Sequence, residues 1–125
     1  MAESDYGLID AALRLIREAG AEENHTVAAA VRTTDGEIIT GLNLAHFTGG
    51  PCAEVVALAN VATARAGAHA IVAVSGNTIL APCGRCRQIM IDYWPAVNVV
   101  VPDVNGSPLT VTIIDLLPFA CFANA

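Results

Sequence analysis

The chain has 125 residues, of which 54% are apolar and 14% are charged. This composition supports one hydrophobic core but the chain is too short for two ordinary domains, so we expect a single domain over residues 1–125. Six basic residues, all of them arginines, stand against twelve acidic residues. The resulting net charge of −6 leaves few cations to neutralise phosphates, which argues against a nucleic-acid partner.

The first half of the chain predicts a helix, a hairpin and a second helix. Apolar residues at spacings of three and four predict an amphipathic helix over residues 6–19. Residues 26–32 and 37–42 favour β-structure and flank a Thr-Asp-Gly turn signal, so they are predicted to form an antiparallel hairpin. A run rich in Ala, Val and Leu then predicts a mostly buried helix over residues 52–66.

The second half alternates predicted strands and helices. A short apolar run predicts a strand over residues 70–75, and a helical pattern follows over residues 82–94, where Pro95 ends it. Residues 98–101 are predicted to form another buried strand. After a turn-rich connector, residues 110–117 fit either a strand or a short helix, and the sequence leaves this open.

This order of elements predicts the fold class. Strands that alternate with helices indicate an α/β sandwich. The sheet is expected to be mixed, because the early hairpin is antiparallel whereas the later strands are separated by helical crossovers. The abundance of Ala and Val with few charges favours some apolar surface being buried between copies of the chain.

The amino end and the cysteines indicate a reducing compartment. The apolar stretches are short and interrupted and residues 1–5 are acidic and polar, so we expect no transmembrane helix, no membrane partner and no export signal, and we predict a cytoplasmic location. Four cysteines, at positions 52, 83, 86 and 121, are too few for a disulfide scaffold in such an apolar domain. They are more typical of free thiols or metal ligands.

Three of the cysteines stand at the starts of two predicted helices. Cys52 begins a Cys-x-Glu motif, and Cys83 and Cys86 form a Pro-Cys-x-x-Cys motif thirty-one residues later. If the two helix starts face each other, the three thiolates supply the protein ligands of a tetrahedral zinc site whose fourth position is left to water. Backbone amides and the positive ends of the helix dipoles would stabilise the thiolates there.

Charged residues beside these cysteines have predicted roles at such a site. Glu54 follows Cys52 by two residues, close enough to exchange protons with a water on the metal without being a ligand, so it is the candidate general acid and base. Three thiolates on one divalent cation leave a net negative charge that opposes ionisation of the water. Arg85 and Arg87 flank Cys86 and are the nearest cations; the sequence does not decide which one hydrogen-bonds a thiolate.

The two motifs resemble those of the zinc-dependent cytidine deaminase superfamily. The likeness is strongest over residues 41–54 and 81–88, where the sequence looks most like the blasticidin S deaminases within that superfamily, and it extends more loosely from about residue 26 to 118. The resemblance implies a three-layer sandwich of the cytidine deaminase type, with flanking helices on a mixed sheet. It also implies one Zn²⁺ per chain, held by Cys52, Cys83 and Cys86, and a homotetramer.

The resemblance further implies the positions that bind substrate. The amide of Ala53 and the carbonyl of Pro82 would bracket the oxygen and the amine of the pyrimidine, and Asn43 would contact the sugar. Two positions after this asparagine, cytidine deaminases usually have a glutamate for the ribose hydroxyl, whereas this sequence has Ala45. Ordinary cytidine would therefore lose a charge-assisted hydrogen bond, a loss of about 1.5–3 kcal/mol.

The implied reaction is zinc-dependent hydrolysis of the 4-amino group of a cytosine nucleoside, which gives the uracil form and ammonia. Blasticidin S or a related cytosine nucleoside is the preferred small-molecule substrate of this interpretation. The alternative within the same class is a housekeeping cytidine or deoxycytidine deaminase. A third alternative, from another class, is a non-catalytic protein that binds zinc only for stability.

Several residues keep two interpretations. His46 either contacts substrate or is satisfied by contacts within its own loop, and Phe47 either stacks on a base or fills the core beneath the loop. Cys121 is expected to be a free thiol, although a purely structural zinc site would use it to complete a four-cysteine shell. Cys83 and Cys86 alone also fit a redox dithiol, an interpretation that leaves the Cys-x-Glu motif unexplained.

Overall fold

The structure is a computed structural model that describes residues 3–20 and 25–122. Within these residues no helix is long and apolar enough to cross a membrane. The elements follow one another as α1 (Glu3–Ala19), β1 (Ala28–Thr33), β2 (Ile38–Leu42), α2 (Ala53–Thr63), β3 (Ala68–Ser75), β4 (Thr78–Leu80), α3 (Gly84–Tyr93), β5 (Asn98–Pro102), β6 (Pro108–Thr112) and α4 (Ile113–Leu116).

All the predicted helices and strands are present, and the differences have local causes. The segment that fitted either a strand or a helix contains both, because Thr112 ends β6 and caps α4: its hydroxyl accepts from the Asp115 amide, and the Asp115 carboxylate accepts from the Thr112 amide. Strand β4 was not predicted. It follows β3 after the two-residue turn Gly76-Asn77, a pair that is typical of tight hairpins.

The strands form one mixed sheet in the order β2-β1-β3-β5-β6, and β4 pairs with β3 as well. The pairing of β3 with β5 is parallel, with Ile71 opposite Val99, and α3 makes the crossover between them. The other pairs are antiparallel, including the predicted hairpin of β1 and β2. The predicted mixed sheet is therefore confirmed.

Alternation along the central strands divides the core into two layers. In β1 the even-numbered residues Ala28 and Ala30 face the helix α1, while Ala29 and Val31 face the helices α2 and α3. The same alternation holds in β3 from residue 70 to residue 74. Because successive side chains of a strand point to opposite faces, a strand covered on both sides is apolar throughout. The predicted three-layer sandwich, helix on sheet on helices, is confirmed.

A buried ion pair joins α1 to the sheet, and no sequence pattern indicated it. The Arg32 guanidinium donates to the Asp5 carboxylate at 2.7 Å, and the Thr110 hydroxyl donates to the other carboxylate oxygen at 3.0 Å. The side chains of Arg32 and Asp5 are only 14% and 8% exposed. These contacts connect the first turn of α1 to β1 and β6, so they fix the helix that forms one outer layer.

A glycine on β2 lets the helix α2 approach the sheet. A Cβ atom at Gly41 would lie 2.5 Å from the Ala57 backbone nitrogen and 2.9 Å from a methyl carbon of Val56. No real side chain tolerates these distances, so only glycine permits α2 to lie this close to β2. This contact sets the height of α2 above the sheet, and with it the position of the residues at its N-terminus.

Two Gly→Ala substitutions should therefore have opposite effects on stability. Gly41→Ala overpacks the contact between β2 and α2 and is expected to lower the free energy of unfolding by about 1–3 kcal/mol. Gly7→Ala, in the exposed interior of α1 where a Cβ meets nothing within 4 Å, is expected to raise it by about 0.5–1 kcal/mol. Urea unfolding at one protein concentration measures both, and a Gly41→Ala protein as stable as the wild type would contradict the proposed close contact.

Candidate metal and catalytic site

Two helix N-termini bring three cysteine sulfurs together. Cys52 and Cys83 occupy the N-cap positions of α2 and α3, both with extended backbone, and Cys86 lies in the first turn of α3. The Cys52 and Cys83 sulfurs are 3.9 Å apart, and the Cys83 and Cys86 sulfurs are 3.5 Å apart. All three sulfurs lie within 4.8 Å of one another. The structure therefore brings together the three residues that the sequence predicted as metal ligands.

The spacing of these sulfurs fits a zinc ion. Tetrahedral ligands at the usual Zn–S distance of about 2.3 Å are about 3.8 Å from one another, close to the two distances between sulfurs given above. Three protein ligands leave a fourth position open. Among the described residues, the cluster of possible metal ligands consists of Cys52, Cys83 and Cys86. Cys121 does not belong to it. The four-cysteine shell is therefore contradicted, and the residues present fit one Zn²⁺ per chain with an open position.

The sulfur distances also argue against a redox dithiol. The Cys83 sulfur is almost as close to that of Cys52 as to that of Cys86, so the pair in the Cys-x-x-Cys motif is not isolated from a third thiol. All four cysteines are free. A cluster of three thiols is the arrangement expected of metal ligands rather than of a dithiol that forms one disulfide.

Opposing influences act on the two thiols of α3. Burial raises the pKa of the Cys83 thiol, but hydrogen bonds from the amides and thiols around it outweigh burial and hold the pKa below its usual value. The pKa of Cys86 is raised, first by its burial and next by the negative charge of Glu54. Loss of the Cys86 proton is therefore unfavourable without a compensating positive charge. A divalent cation held by the three sulfurs would supply that charge and favour the deprotonated thiols.

Of the two arginines beside Cys86, Arg85 is the one that reaches a cysteine. Its guanidinium donates to the Cys52 sulfur at 3.5 Å, and this hydrogen bond is the main reason that the Arg85 pKa is raised. Arg87 instead donates to the Pro82 carbonyl at 2.7 Å and to the Leu116 carbonyl at 2.9 Å. The guanidinium of Arg87 therefore connects the loop before Cys83 to the end of α4 and contacts no sulfur.

Glu54 is a buried carboxyl group in the first turn of α2. It is 7% exposed, and burial raises its pKa, although a backbone hydrogen bond partly offsets the effect. A carboxyl group whose pKa is raised holds a proton more readily than an exposed one, which suits a residue that both accepts and returns a proton. Its charge acts on the Cys86 thiol, which shows that the carboxyl group and the sulfur cluster share one environment.

A cavity of about 530 Å³ opens beside this cluster. The volume suits a small organic molecule such as a nucleoside. Its walls come from the end of β2 and the loop after it, from the start of α2 and from the segment after β4. The lining residues are Val27, Asn43, Leu44, Ala45, His46, Gly49, Gly50, Pro51, Cys52, Ala53, Glu54, Leu80, Ala81 and Cys83.

Three predicted substrate residues line this cavity. Ala53 is fully buried at the start of α2. Asn43 has its side chain fixed, because its oxygen accepts from the Thr26 and Val27 amides at 2.8 and 2.9 Å and its nitrogen donates to the Thr26 hydroxyl at 3.2 Å. His46 belongs to the loop and is hydrogen-bonded through Nδ1 to the hydroxyl of Thr48.

Two other predicted substrate residues do not line this cavity. Phe47 is 94% exposed, so the interpretation that it fills the core is wrong, and its ring lies against that of His46 with centroids 4.5 Å apart. Pro82 is buried, and its carbonyl accepts from Arg87. A carbonyl oxygen has a second lone pair, so this contact is compatible with a further donor.

Some residues of the cavity were missed by the sequence reasoning. Leu80 and Ala81 line it because β4 returns along β3, and the Gly76-Asn77 turn between two apolar runs was the available signal. Gly50 lines it as well. A Cβ atom there would lie 1.5 Å from the Leu44 carbonyl oxygen, and the Gly-Gly pair in the loop was the only indication of such a close approach.

Comparisons with known proteins agree with this site. The profile of the cytidine and deoxycytidylate deaminase zinc-binding region matches residues 2–101. The chain is 30% identical to blasticidin-S deaminase of Bacillus cereus, over 99% of this chain and 96% of that protein. It is 33% identical to a cytidine deaminase of Halalkalibacterium halodurans, over 78% of each chain.

A solved structure extends the agreement to the fold. The crystal structure of cytidine deaminase from Burkholderia pseudomallei superposes with a TM-score of 0.76, is 34% identical, and covers 97% of this chain and 100% of that one. Profile, sequence and fold thus agree with the three thiols and the buried carboxyl group. The chain belongs to the cytidine and deoxycytidylate deaminase family, whose members are zinc-dependent hydrolytic deaminases.

Proposed function

We propose that this chain hydrolyses the 4-amino group of a cytosine nucleoside, with blasticidin S or a related cytosine nucleoside as its preferred substrate. The observation that carries the proposal is the buried carboxyl group of Glu54 beside three converging thiols, at one wall of a cavity of nucleoside size. The similarity to a blasticidin-S deaminase over nearly the whole chain supports the choice of substrate. Ala45, which lines the cavity without a polar group, supports it as well.

Glu54 moves the protons in this reaction. Zinc held by the three cysteines supplies a Lewis acid that promotes ionisation of water. Glu54 takes one proton from the attacking water and delivers it to ring atom N3 as the new C4–O bond forms. It then moves the second proton to the amino group, so the C4–N bond breaks, ammonia leaves and the C4 carbonyl of the uracil form remains.

The surrounding groups orient the base and balance the charge. We assign the Ala53 amide to the pyrimidine oxygen and the free lone pair of the Pro82 carbonyl to the amine, while Arg87 holds that carbonyl in place. Arg85 offsets part of the thiolate charge through its hydrogen bond to Cys52. This assignment gives the two arginines different tasks, one electrostatic and one positional.

Glu54→Gln separates the enzyme from a structural zinc protein. The amide keeps the shape of the side chain but does not act as an acid or a base near neutral pH, so kcat should fall by about 10²–10⁴-fold, while zinc content stays at one per chain. The loss of cytosine absorbance measures kcat, and metal analysis measures the zinc content. Glu18→Gln, an exposed change on α1, is the matched control and should change neither kcat nor zinc content. Full activity of zinc-loaded Glu54→Gln would refute the role of Glu54.

A substrate panel tests the choice of nucleoside. Zinc-loaded protein should deaminate blasticidin S with a kcat/KM roughly ten- to a hundredfold above that for cytidine or deoxycytidine, the factor that one charge-assisted hydrogen bond provides. Ala45→Glu should raise the kcat/KM for cytidine by a similar factor, whereas Ala45→Gln, of similar size but uncharged, should raise it less.

The outcomes of this panel separate the alternatives. No turnover of any of the three nucleosides by zinc-loaded protein would overturn the proposal as a whole. A strong preference of the wild type for cytidine would overturn the assignment of blasticidin S alone. That result would favour the housekeeping deaminase.

We also propose that copies of the chain assemble into a homotetramer. An apolar depression of about 430 Å³ lies between α2 and α3 and contains Tyr93, which is 69% exposed. Such a depression on two neighbouring helices is typical of a surface that another chain covers. The remaining lining residues are Val55, Leu58, Ala59, Ala62, Ile89 and Trp94. The single domain over residues 1–125 and the cytoplasmic location stay predictions.

Sedimentation equilibrium tests the assembly. The expected mass is four times that of the 12.9 kDa chain, and Tyr93→Glu should shift it toward smaller species because a charge in an apolar interface is costly to desolvate. Tyr6→Glu, on an exposed position of α1, serves as the control. A wild-type mass equal to one chain would contradict the tetramer.

A further inference from the structure

The Pro82 carbonyl belongs to a peptide that lies between the cavity, the sulfur cluster and Glu54. The residues on both sides of Pro82, Ala81 and Cys83, line the cavity. Pro82 itself is buried, and it borders a small internal void together with Glu54. The direction of this carbonyl matters for any group that donates to it, because a hydrogen bond weakens steeply as its angle departs from linear.

Arg87 holds two consecutive carbonyl groups at this place. Its Nε–H group donates to the Pro82 carbonyl at 2.7 Å, and its backbone amide donates to the Cys83 carbonyl at 3.0 Å. The second contact is an ordinary helical hydrogen bond of α3. The first is made by a planar cation whose donors have fixed directions. The guanidinium therefore occupies one lone pair of the Pro82 carbonyl and leaves the other for a ligand.

The other end of the Arg87 guanidinium is bound to α4. Nη1 donates to the Leu116 carbonyl at 2.9 Å. Leu116 is the last residue of α4, so its carbonyl is one of those that a helix end leaves without a partner in the helix. Both side-chain contacts of Arg87 are partly buried, where hydrogen bonds are stronger than in water. Arg87 is therefore held between two backbone acceptors.

The helix α4 is itself firmly anchored. At its start Thr112 and Asp115 cap each other, since each side chain accepts from the backbone amide of the other residue. The Ile113 side chain is fully buried, and the Ile113 amide donates to the Val97 carbonyl at 3.1 Å. Leu116 packs against the same core as α2 and α3. α4 is thus a fixed point from which Arg87 holds the segment before α3.

We propose that α4 supports amine recognition, and that Arg87 is the positioning residue that connects α4 to the Pro82 carbonyl. The proposal rests on the proposed function of the site, in which this carbonyl accepts from the 4-amino group. As Glu54 delivers the second proton, the amine becomes cationic, and its hydrogen bond to the carbonyl becomes charge-assisted and roughly twice as strong. A correctly directed carbonyl therefore stabilises the departing amine more than the bound substrate.

The kinetic test removes the side-chain donors of Arg87 and keeps the length of the side chain. Arg87→Met should lower kcat/KM for blasticidin S and for cytidine about ten- to a hundredfold, with most of the loss in kcat, because the charge-assisted bond exists only as the amine departs. Arg87→Lys, which keeps one cationic donor, should restore part of the loss. Arg14→Met, on an exposed position of α1, is the matched control and should change neither kcat nor KM.

A binding test determines whether Arg87 acts through the amino group. Cytidine and pyrimidin-2-one riboside differ in the 4-amino group alone, and both are titrated by calorimetry into zinc-loaded Glu54→Gln, with and without Arg87→Met. Arg87→Met should weaken the binding of cytidine about three- to tenfold, the contribution of one neutral hydrogen bond. It should leave the binding of pyrimidin-2-one riboside unchanged. A merely structural role of Arg87 would weaken the binding of both ribosides equally.

A double-variant cycle tests the role of α4. Thr112→Val removes the hydroxyl that caps α4, so it should loosen the support of Arg87 and lower kcat for cytidine by several fold. The same change should have no further effect on kcat in Arg87→Met, since the connection is already absent there. Thr63→Val, whose hydroxyl bonds within α2, is the matched control. Additive losses of kcat in the double variant would overturn the role of α4.

The outcomes distinguish this proposal from the proposed function. Spectra of zinc-loaded wild type should show a coupling across the hydrogen bond between Arg87 Nε and the Pro82 carbonyl carbon; its absence would overturn the proposal even if Arg87→Met does not fold. Selective loss of cytidine binding in Arg87→Met supports the proposal, and absent turnover in the wild type then refutes deamination alone. Equal effects on the two ribosides would overturn the role of Arg87 and leave the deaminase assignment standing. Binding of neither riboside by Glu54→Gln would overturn both.

Discussion

The site depends on two helix N-termini that face each other. Each N-terminus exposes backbone N–H groups without helical partners and the positive end of a helix dipole. In α2 and α3 the N-cap residue is a cysteine, so each helix start places a sulfur beside these N–H groups. Cys86 adds a third sulfur from the first turn of α3. The distances between these sulfurs match the ligand geometry of zinc.

The sheet explains why these two helix starts meet. Both helices pack on the same face of the sheet, and Gly41 lets α2 lie directly on β2. Strand β4 runs back along β3 before α3 begins, so the chain enters α3 at the wall of the cavity that contains Leu80 and Ala81.

The sequence predicted the chemistry of the site better than the contacts around it. Cysteine and glutamate at helix starts are local patterns with a known chemical purpose, so Cys52 and Glu54 were identifiable without tertiary structure. The different partners of Arg85 and Arg87 depend on where α4 and the Pro82 carbonyl lie, which no local pattern contains. The core interpretation of Phe47 was wrong for the same reason, since apolar character alone does not distinguish a core residue from one that packs on a neighbouring ring.

The charge of the cavity follows from the residues on its walls. The carboxyl group of Glu54 and the sulfurs of Cys52 and Cys83 line it, in a partly buried space where Coulomb interactions are stronger than in water. A glutamate at position 45 would add a second carboxylate to this space, whereas the alanine present adds no charge. Glu54 is therefore the one carboxyl group among the described lining residues, and burial raises its pKa, as a group that holds and releases a proton requires.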